Sequence, residues 1–510
     1  HHQRRRRPGY RGREEVLLST PYASAPGGLS LRGLFHAQLN QKTEKVPDTA
    51  GRKGEKTMQQ DLTKGQVTRS MLLFALPMIL GNLLQQLYNV ADTLIVGRCL
   101  GPGALAAVGS SYTLMTFLTS ILLGLCMGSG VYFSILFGSR EEEQLRESIF
   151  VSFVVIAAAT ALLSGVVITL TDPILHAIQI QAQVYDMTRA YVRVIFLGIP
   201  FTFLYNYFAS LLRAIGNSVV PLVFLGVSAV LNIILDLVFV MVLSRGVAGA
   251  AEATVISQAV SAACIALYAF RKAPQLRPRR SNLKLRRRTM GKIFSYSFLT
   301  CVQQSVMNFG ILMIQGLVNS FGVDVMAAFA AAVKIDSFAY MPVQDFGNAF
   351  STFIAQNYGA GRTDRIRAGI RSAVITALAF CVVISVLVFA FAGPLMTIFV
   401  EPEETGIIAI GVEYLRIEGA CYCGIGCLFL LYGLYRALGR PGMSVVLTVI
   451  SLGTRVALAY LLAPISAIGL PGIWWAIPIG WVLADAVGFG FYRLREKKRL
   501  EQLEYASPAA

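Results

Sequence analysis

Stretches of about 20 apolar residues, such as "VSFVVIAAATALLSGVVITL" and "AVITALAFCVVISVLVFAFAG", recur along nearly the whole chain, separated by short polar breaks. A run of that length crosses a ~30 Å hydrocarbon core as a helix rising ~1.5 Å per residue. Hydrophobic residues make up 55% of the 510, charged residues only 14%, and the mean hydropathy is +0.60. This composition excludes an ordinary soluble domain, and so many runs exclude a signal-peptide reading.

Apolar runs and breakers place spans near 69–97, 106–137, 147–171, 186–212, 218–243 and 247–270, then 291–320, 325–358, 370–392, 408–435, 442–463 and 470–492. The expected organisation is a basic tail (1–57), a first lobe of six spans (58–271), a basic linker (272–290), a second lobe of six spans (291–495) and a short tail (496–510). The fold class is therefore an all-α polytopic membrane protein of twelve transmembrane helices. The first tail is rich in Arg, Gly and Pro and lacks periodicity. It reads as disordered and as a dispensable leader, with Met58 the natural first residue and an anionic-lipid contact as its functional alternative.

A net charge of +17 would suggest nucleic acid in a soluble protein, but here the charge sits in the tail and in short loops. Arg271 to Lys292 alone holds ten Lys/Arg. Arg140, Arg146, Arg213, Arg362, Arg365, Arg367, Arg371, Arg436 and Arg440 fall on the same side, whereas the opposite loops offer little beyond Arg98, Arg189 and Arg245. By the positive-inside bias both termini face the cytoplasm, with the protein in the cell membrane.

The halves repeat. "FGSREEEQLRESI" (137–149) and "YGAGRTDRIRAGI" (358–370) align at an offset of 221, and "LRAIG" (212–216) on "YRALG" at 223. Six spans repeated in the same order have the same orientation, a parallel repeat that places a substrate path between the lobes.

Intramembrane ionisable groups are costly, so they pair or mark a path. Asp92 lies in "LYNVADTLIVG" on span 1, Asn232 and Asp236 in "NIILD" share a face of span 5 at i and i+4, and Thr254 lies on span 6. Asp92 is roughly 13 Å, and Asp236 and Thr254 roughly 8 Å, outward of their span centres. Carboxylate, carboxylate, amide and hydroxyl oxygens at similar depth make a Na⁺ or proton site, because two carboxylates in a low dielectric need a proton or a cation between them. The structural alternatives are a headgroup-level carboxylate for Asp92 and an interhelical clamp for Asn232 and Asp236.

With "GAAEATVISQ" on span 6 and "FGNAFSTFIAQNYGAG" on span 8, these motifs resemble the multidrug and toxic compound extrusion (MATE) family of secondary transporters over residues 60–495. The resemblance implies a V of two six-helix lobes, alternating access, and export of drug-like, often cationic or amphipathic molecules against inward Na⁺ or H⁺. It implies a coupling cation on Asp92, Asn232, Asp236 and Thr254. It also implies a flexible point at Pro77, for which a missing N–H and a steric clash supply the physical reason.

The sequence departs from another branch of the family, which carries acidic residues on spans 7 and 10: span 7 here reads "CVQQSVMNFG", and Glu418 alone could keep a second-lobe site. In the internal alignment Asp92 falls on Met313, Asn232 on Arg455 and Asp236 on Ala459. Glu252 reads as a solvated loop-end carboxylate rather than a further ligand. Lys334 and Asp336, at i and i+2, cannot face each other on a helix, which points to Asp336 pairing with Arg455 in a group that also includes Asp345. Substrate contacts are expected from Gln85, Gln86, Tyr88, Tyr205, Asn206, Phe338, Tyr340 and Met341, or from Lys334 and Asp336 as a charged cavity wall.

Other signals carry no chemistry. "CYCGIGC" has the wrong spacing for zinc, no Walker A loop occurs, and the eight cysteines indicate no disulfide framework. G-x-x-x-G at Gly97/Gly101 and Gly124/Gly128 favours close helix contact. The expected protein is a monomeric transporter of small molecules, not an enzyme, in a lipid bilayer, with no nucleic acid and no cofactor beyond the coupling ion. The alternative function is a flippase for lipid-linked precursors. Such a protein needs a strongly cationic cavity, whereas the charges in the first lobe are acidic.

Overall fold

The computed structural model describes residues 59–178 and 180–506, and the tail expected over 1–57 lies outside them. The first half contains α1 (Val67–Leu100), α2 (Pro102–Gly138), α3 (Glu142–Thr169), the short α4 (Thr171–Ala177), α5 (Tyr185–Leu197), α6 (Ile199–Ala214), α7 (Val219–Asp236, continued by π-helix over Leu237–Val242) and α8 (Gly246–Lys272). The second contains α9 (Arg287–Asn319), α10 (Val323–Gly359), α11 (Thr363–Met396), α12 (Thr405–Ala420), α13 (Tyr422–Ala437), α14 (Pro441–Leu462), α15 (Leu470–Phe491, followed by a π turn over Tyr492–Glu496) and α16 (Lys497–Ala506).

Among the described residues nine helices are long and apolar enough to cross a bilayer, and the bent pairs α5/α6 (44°) and α12/α13 (53°) bring the number to eleven. The twelfth, α10, has 37 residues but carries Lys334, Asp336 and Asp345 in its apolar run. Twelve spans in two lobes result. The repeat persists in the backbone: both bent pairs break at equivalent places, Gly198 and Cys421. Eight of the ten described residues with positive φ also pair between halves, Gly101 (84°) with Gly322 (108°), Arg140 (59°) with Gly361 (67°), Gly216 (88°) with Gly439 (80°) and Gly246 (66°) with Gly469 (53°). At 140 the first half holds an arginine in a conformation that L-residues with a Cβ rarely adopt.

Each lobe has its own apolar core. One is built from Val96 of α1 and from α2 to α9, and the other from α9 to α16 with Leu62, with Met71 and Phe74 of α1, and with Val131 and Ile135 of α2 packed into it. The lobes meet along the ends of α1, α2, α9 and α10 that lie toward the arginine-rich loops, hereafter the basic side. A Cβ on Gly124 would stand 2.6 Å from Cys301 Cα, and one on Gly128 would run into the Tyr296 carbonyl. Ser129 and Ser297 hydroxyls bond at 2.6 Å, and Tyr132 stacks on Tyr296 at 5.3 Å. Gly97 and Gly101, by contrast, make no close backbone approach: a Cβ on Gly97 would meet the Leu105 side chain of α2 at an ordinary 3.5 Å, and one on Gly101 would have nothing within 4 Å.

Gly138 and Gly359, equivalent in the repeat, close the seam symmetrically. A Cβ on the first would run into the Gln356 carbonyl, and one on the second into the Ile135 carbonyl. Gly359→Ala is expected to cost about 1–3 kcal/mol of packing and to lower the thermal unfolding midpoint in nanodiscs. Gly453→Ala, at a glycine with open space around it, should leave the midpoint unchanged.

The segment before α1 is strapped across this seam. Gln60 N–H donates to the Gly216 carbonyl of the first lobe (2.9 Å). Leu62, fully buried, donates its N–H to Gln356 Oε1 (3.3 Å), and its carbonyl accepts from Asn357 Nδ2 (3.1 Å). Arg365 then donates to the carbonyls of Leu62 (3.0 Å), Lys64 (3.1 Å) and Gly65 (2.7 Å), satisfying backbone that no helix serves. Burial works against ionisation of Asp61, but bonds from Thr63 and the charges of Lys64 and Arg140 outweigh it and hold the carboxyl below its ordinary range. Away from the basic side the same helices expose apolar side chains, among them Leu87, Val90, Leu94, Tyr112, Phe309 and Phe338. Among the described residues the hydrogen bonds between the lobes all lie on the basic side or at mid-span, so the lobes part away from that side.

Candidate cation site

In the half where the lobes part, α1, α7 and α8 bring together the four oxygen-bearing residues singled out above. α7 buries Asn232 and Asp236 at 2% and 0% exposure, one turn apart on the face toward α1 and α8. Asn232 Nδ2 donates to Thr254 Oγ1 at 3.3 Å, while the Thr254 hydroxyl donates back to the Ala250 carbonyl at 3.1 Å. That pairing turns the Asn232 carbonyl oxygen toward the site. Asp92, half-buried on α1, lies within hydrogen-bond range of the Asp236 carboxyl.

Asp92 Oδ1, Asn232 Oδ1 and both Asp236 oxygens are buried and accept no hydrogen bond from any other described residue. A buried oxygen without a donor is costly, and four in one place call for a shared proton or a cation. The donor set is hard oxygen with two negative charges at most, which suits Na⁺ or H⁺ rather than a transition metal. Asp236 is also the last α-helical residue before the π segment, an irregularity frequent at functional sites.

Tyr191 on α5, 8% exposed, sits near both carboxyls, with Tyr88 also close. Sequence reading passed over Tyr191 because a tyrosine in an apolar run looks like core, and only the packing of α5 on α8 brings it there. Glu252 is occupied elsewhere, its carboxylate 2.8 Å from Arg245 Nη1. Pro77 lies within α1, which remains a single helix over Val67–Leu100.

The expected cavity residues divide. Tyr88 lies beside Gln85, Asp92 and Tyr112, on the edge of the cleft. Tyr205 and Asn206 instead serve their own lobe: the Tyr205 hydroxyl donates to the Pro221 carbonyl (2.7 Å) and Asn206 Nδ2 to the Thr202 carbonyl (2.8 Å), because α6 packs this face on its neighbours. Tyr340 leans on Phe429 (5.9 Å), and Met341 is 8% exposed. Lys334 is exposed, its ammonium 5.8 Å from the centre of the Phe399 ring.

Asp336, two residues on, points into the second lobe, so the two charges do not form one wall. It is 5% exposed and accepts from the Tyr414 hydroxyl at 3.4 Å, with Tyr422, Glu418 and Arg455 around it. Asp345 accepts from Asn82 Nδ2 of the first lobe (3.1 Å) near Arg213, and so belongs to the interlobe seam. A small cleft among Gln303, Gln304, Gln344, Asn348 and Arg436, not anticipated from sequence, lies beside it in the second lobe.

The MatE family model matches the chain twice, over residues 77–238 and 299–461. The chain belongs to the MATE family. The two matches begin 222 residues apart, at the spacing of the internal repeat, so each lobe is one copy of the family unit. The chain is 29% identical over 447 residues (86% of its length, 98% of the relative's) to the probable multidrug resistance protein YpnP of Bacillus subtilis. It is 25% identical over 421 residues (80% and 88%) to the probable multidrug resistance protein NorM of Thermotoga maritima. A MOP superfamily transporter from Pyrococcus furiosus has a similar solved structure, with a TM-score of 0.81 at 22% identity over 89% of this chain and all of the other. A multidrug resistance MATE family transporter solved in an outward-facing conformation gives the same score over 89% and 99%. At that identity the likeness bears on the fold. MATE proteins are transporters, and this chain is a multi-pass membrane protein of that family.

Proposed function

We propose that this MATE protein is a cation-coupled antiporter that exports drug-like, often cationic or amphipathic small molecules by alternating access, with Asp92, Asn232, Asp236 and Thr254 as its coupling-ion site. The observation that carries this reading is the facing pair of carboxyls, Asp92 and Asp236, held by different helices without a donor from any other described residue. Multidrug resistance in the names of the relatives supports the substrate class.

In the proposed cycle the basic side is cytoplasmic, and the lobes are open away from it. Na⁺ or a proton reaches the site from that opening and neutralises repulsion between Asp92 on α1 and Asp236 on α7. The bound cation draws α1 toward α7, favours closure of the outer cleft, and weakens the hold on the exported molecule. Coupling follows because the cation prefers one arrangement of α1 over the other. The strap at residues 60–65 must release for the basic side to open.

Counterflow of a fluorescent cationic dye in proteoliposomes, driven in parallel by imposed Na⁺ and pH gradients, tests this directly. Dye that moves down neither gradient refutes antiport, and dye that follows only one identifies the ion. Tyr191→Phe removes one hydroxyl beside the pair. No hydrogen bond joins that hydroxyl to either carboxyl in this arrangement, so the apparent affinity for the driving cation should shift by less than the roughly fivefold of one neutral hydrogen bond, while transport at saturating cation persists.

A further inference from the structure

The outer face of the second lobe carries a groove unrelated to the cation site. α11 and α15 flank α13 rather than packing on each other, leaving a cavity of about 470 Å³ that falls within the ~300–1,000 Å³ range of small-molecule sites. Its floor is buried side chains of α10 and α13, Phe350, Leu430, Leu431 and Leu434. Its walls come from Ile370 and Val374 on α11 and Phe489 on α15.

Arg493 and Lys497 are the only charged residues in the lining. They stand at i and i+4, on one face across the π turn that joins α15 to α16. α15 has 22 residues, roughly 33 Å at ~1.5 Å each, so these two cations stand just past a full bilayer span, at headgroup level. The apolar residues lie one or more turns deeper on three helices. The groove thus runs from the basic-side headgroups into the hydrocarbon.

Two of the three neighbouring carboxylates are already committed. Glu496 is buried on Arg440 (2.5 Å) and Arg499 (3.2 Å), and Glu504 pairs with Arg367 (2.8 Å), which ties α16 to α11 below the groove. Glu501, one turn past Lys497, makes no ion pair, and Arg493 and Lys497 have none among the described residues. Two free cations at the mouth of an apolar slot match an anionic headgroup joined to a chain of methylenes. We propose that this groove is a binding site for one anionic phospholipid of the basic-side leaflet, with its phosphate on Arg493 and Lys497 and an acyl chain along Leu430, Leu434 and Val374.

The test uses the full chain purified in detergent and titrated with dioleoylphosphatidylglycerol or dioleoylphosphatidylcholine, with bound lipid read by native mass spectrometry. Phosphatidylglycerol should bind more tightly. The double variant R493Q/K497Q should weaken it by ~30-fold, about fivefold per cation lost, and weaken phosphatidylcholine much less, because choline offsets its phosphate. V374W, which fills the slot, should reduce retention of both lipids. K498Q, at an exposed lysine outside the lining, should change neither. Equal binding of the two lipids by the wild type, unchanged binding by R493Q/K497Q, or an equal loss in K498Q would overturn the proposal. The substituted cations are exposed, so the comparison holds even if V374W fails to fold.

Discussion

Asp236→Asn is expected to uncouple transport: dye still binds, but counterflow in proteoliposomes no longer follows an imposed Na⁺ or pH gradient. The substitution keeps the shape of a side chain that is 0% exposed, removes its ability to carry negative charge or take up a proton, and turns one acceptor oxygen into an NH₂ donor. Asp92 is then a single carboxylate facing a neutral amide, with no repulsion for a cation to relieve. Coupling free energies of about 1–3 kcal/mol correspond to 5–150-fold changes in affinity, and the cation's effect on dye affinity should shrink by that order. Thr254→Val should weaken cation affinity less, because Asn232 retains its carbonyl oxygen. An Asp236→Asn protein that responds to both gradients at the wild-type rate would place the coupling elsewhere, and Glu418→Gln would then be the variant to examine, since Glu418 is 1% exposed beside Asp336 and Arg455.

Arg365→Ala should open the basic side. Arg365 is 8% exposed, and its guanidinium holds three carbonyls of the strap and Asn357 Oδ1 (3.1 Å). Leaving buried acceptors unpaired costs about 1–3 kcal/mol each. A net shift of about 3 kcal/mol against the closed seam would change its equilibrium by ~100-fold. Spin labels at the exposed positions 271 on α8 and 371 on α11 report the distance between lobes on that side. The variant should populate a longer distance than the wild type, and Arg365→Lys should restore it only in part, because an ammonium cannot span three acceptors as the planar fork does. Identical distance distributions would show that the glycine seam at Gly138 and Gly359 holds the closed state without the strap.

Much of this protein was legible from residue order. Hydropathy marks where the spans lie, α10 included, because its three charged residues interrupt an otherwise apolar run. The oxygens of the candidate site were legible because a carboxylate in a lipid-buried run is costly enough to demand a reason, and i, i+4 spacing puts Asn232 and Asp236 on one face. Tyr191 gave no such signal. Tyr205 and Asn206 gave a misleading one, since polarity on an apolar helix does not say whether the group serves a cavity or its own lobe.

The sequence by itself determined the bilayer as solvent, the twelve crossings, the parallel repeat and the asymmetry that leaves Asp92 opposite Met313. Each follows from local hydrophobicity or spacing along the chain. Only the tertiary structure decided which polar groups spend their hydrogen bonds on neighbours and which are left without a donor. That depends on the rotation and approach of helices far apart in sequence. The same approach turned glycines at 138 and 359 into a seam, residues 60–65 into a strap held by an arginine about 300 positions away, and Asp92 and Asp236 into a facing pair.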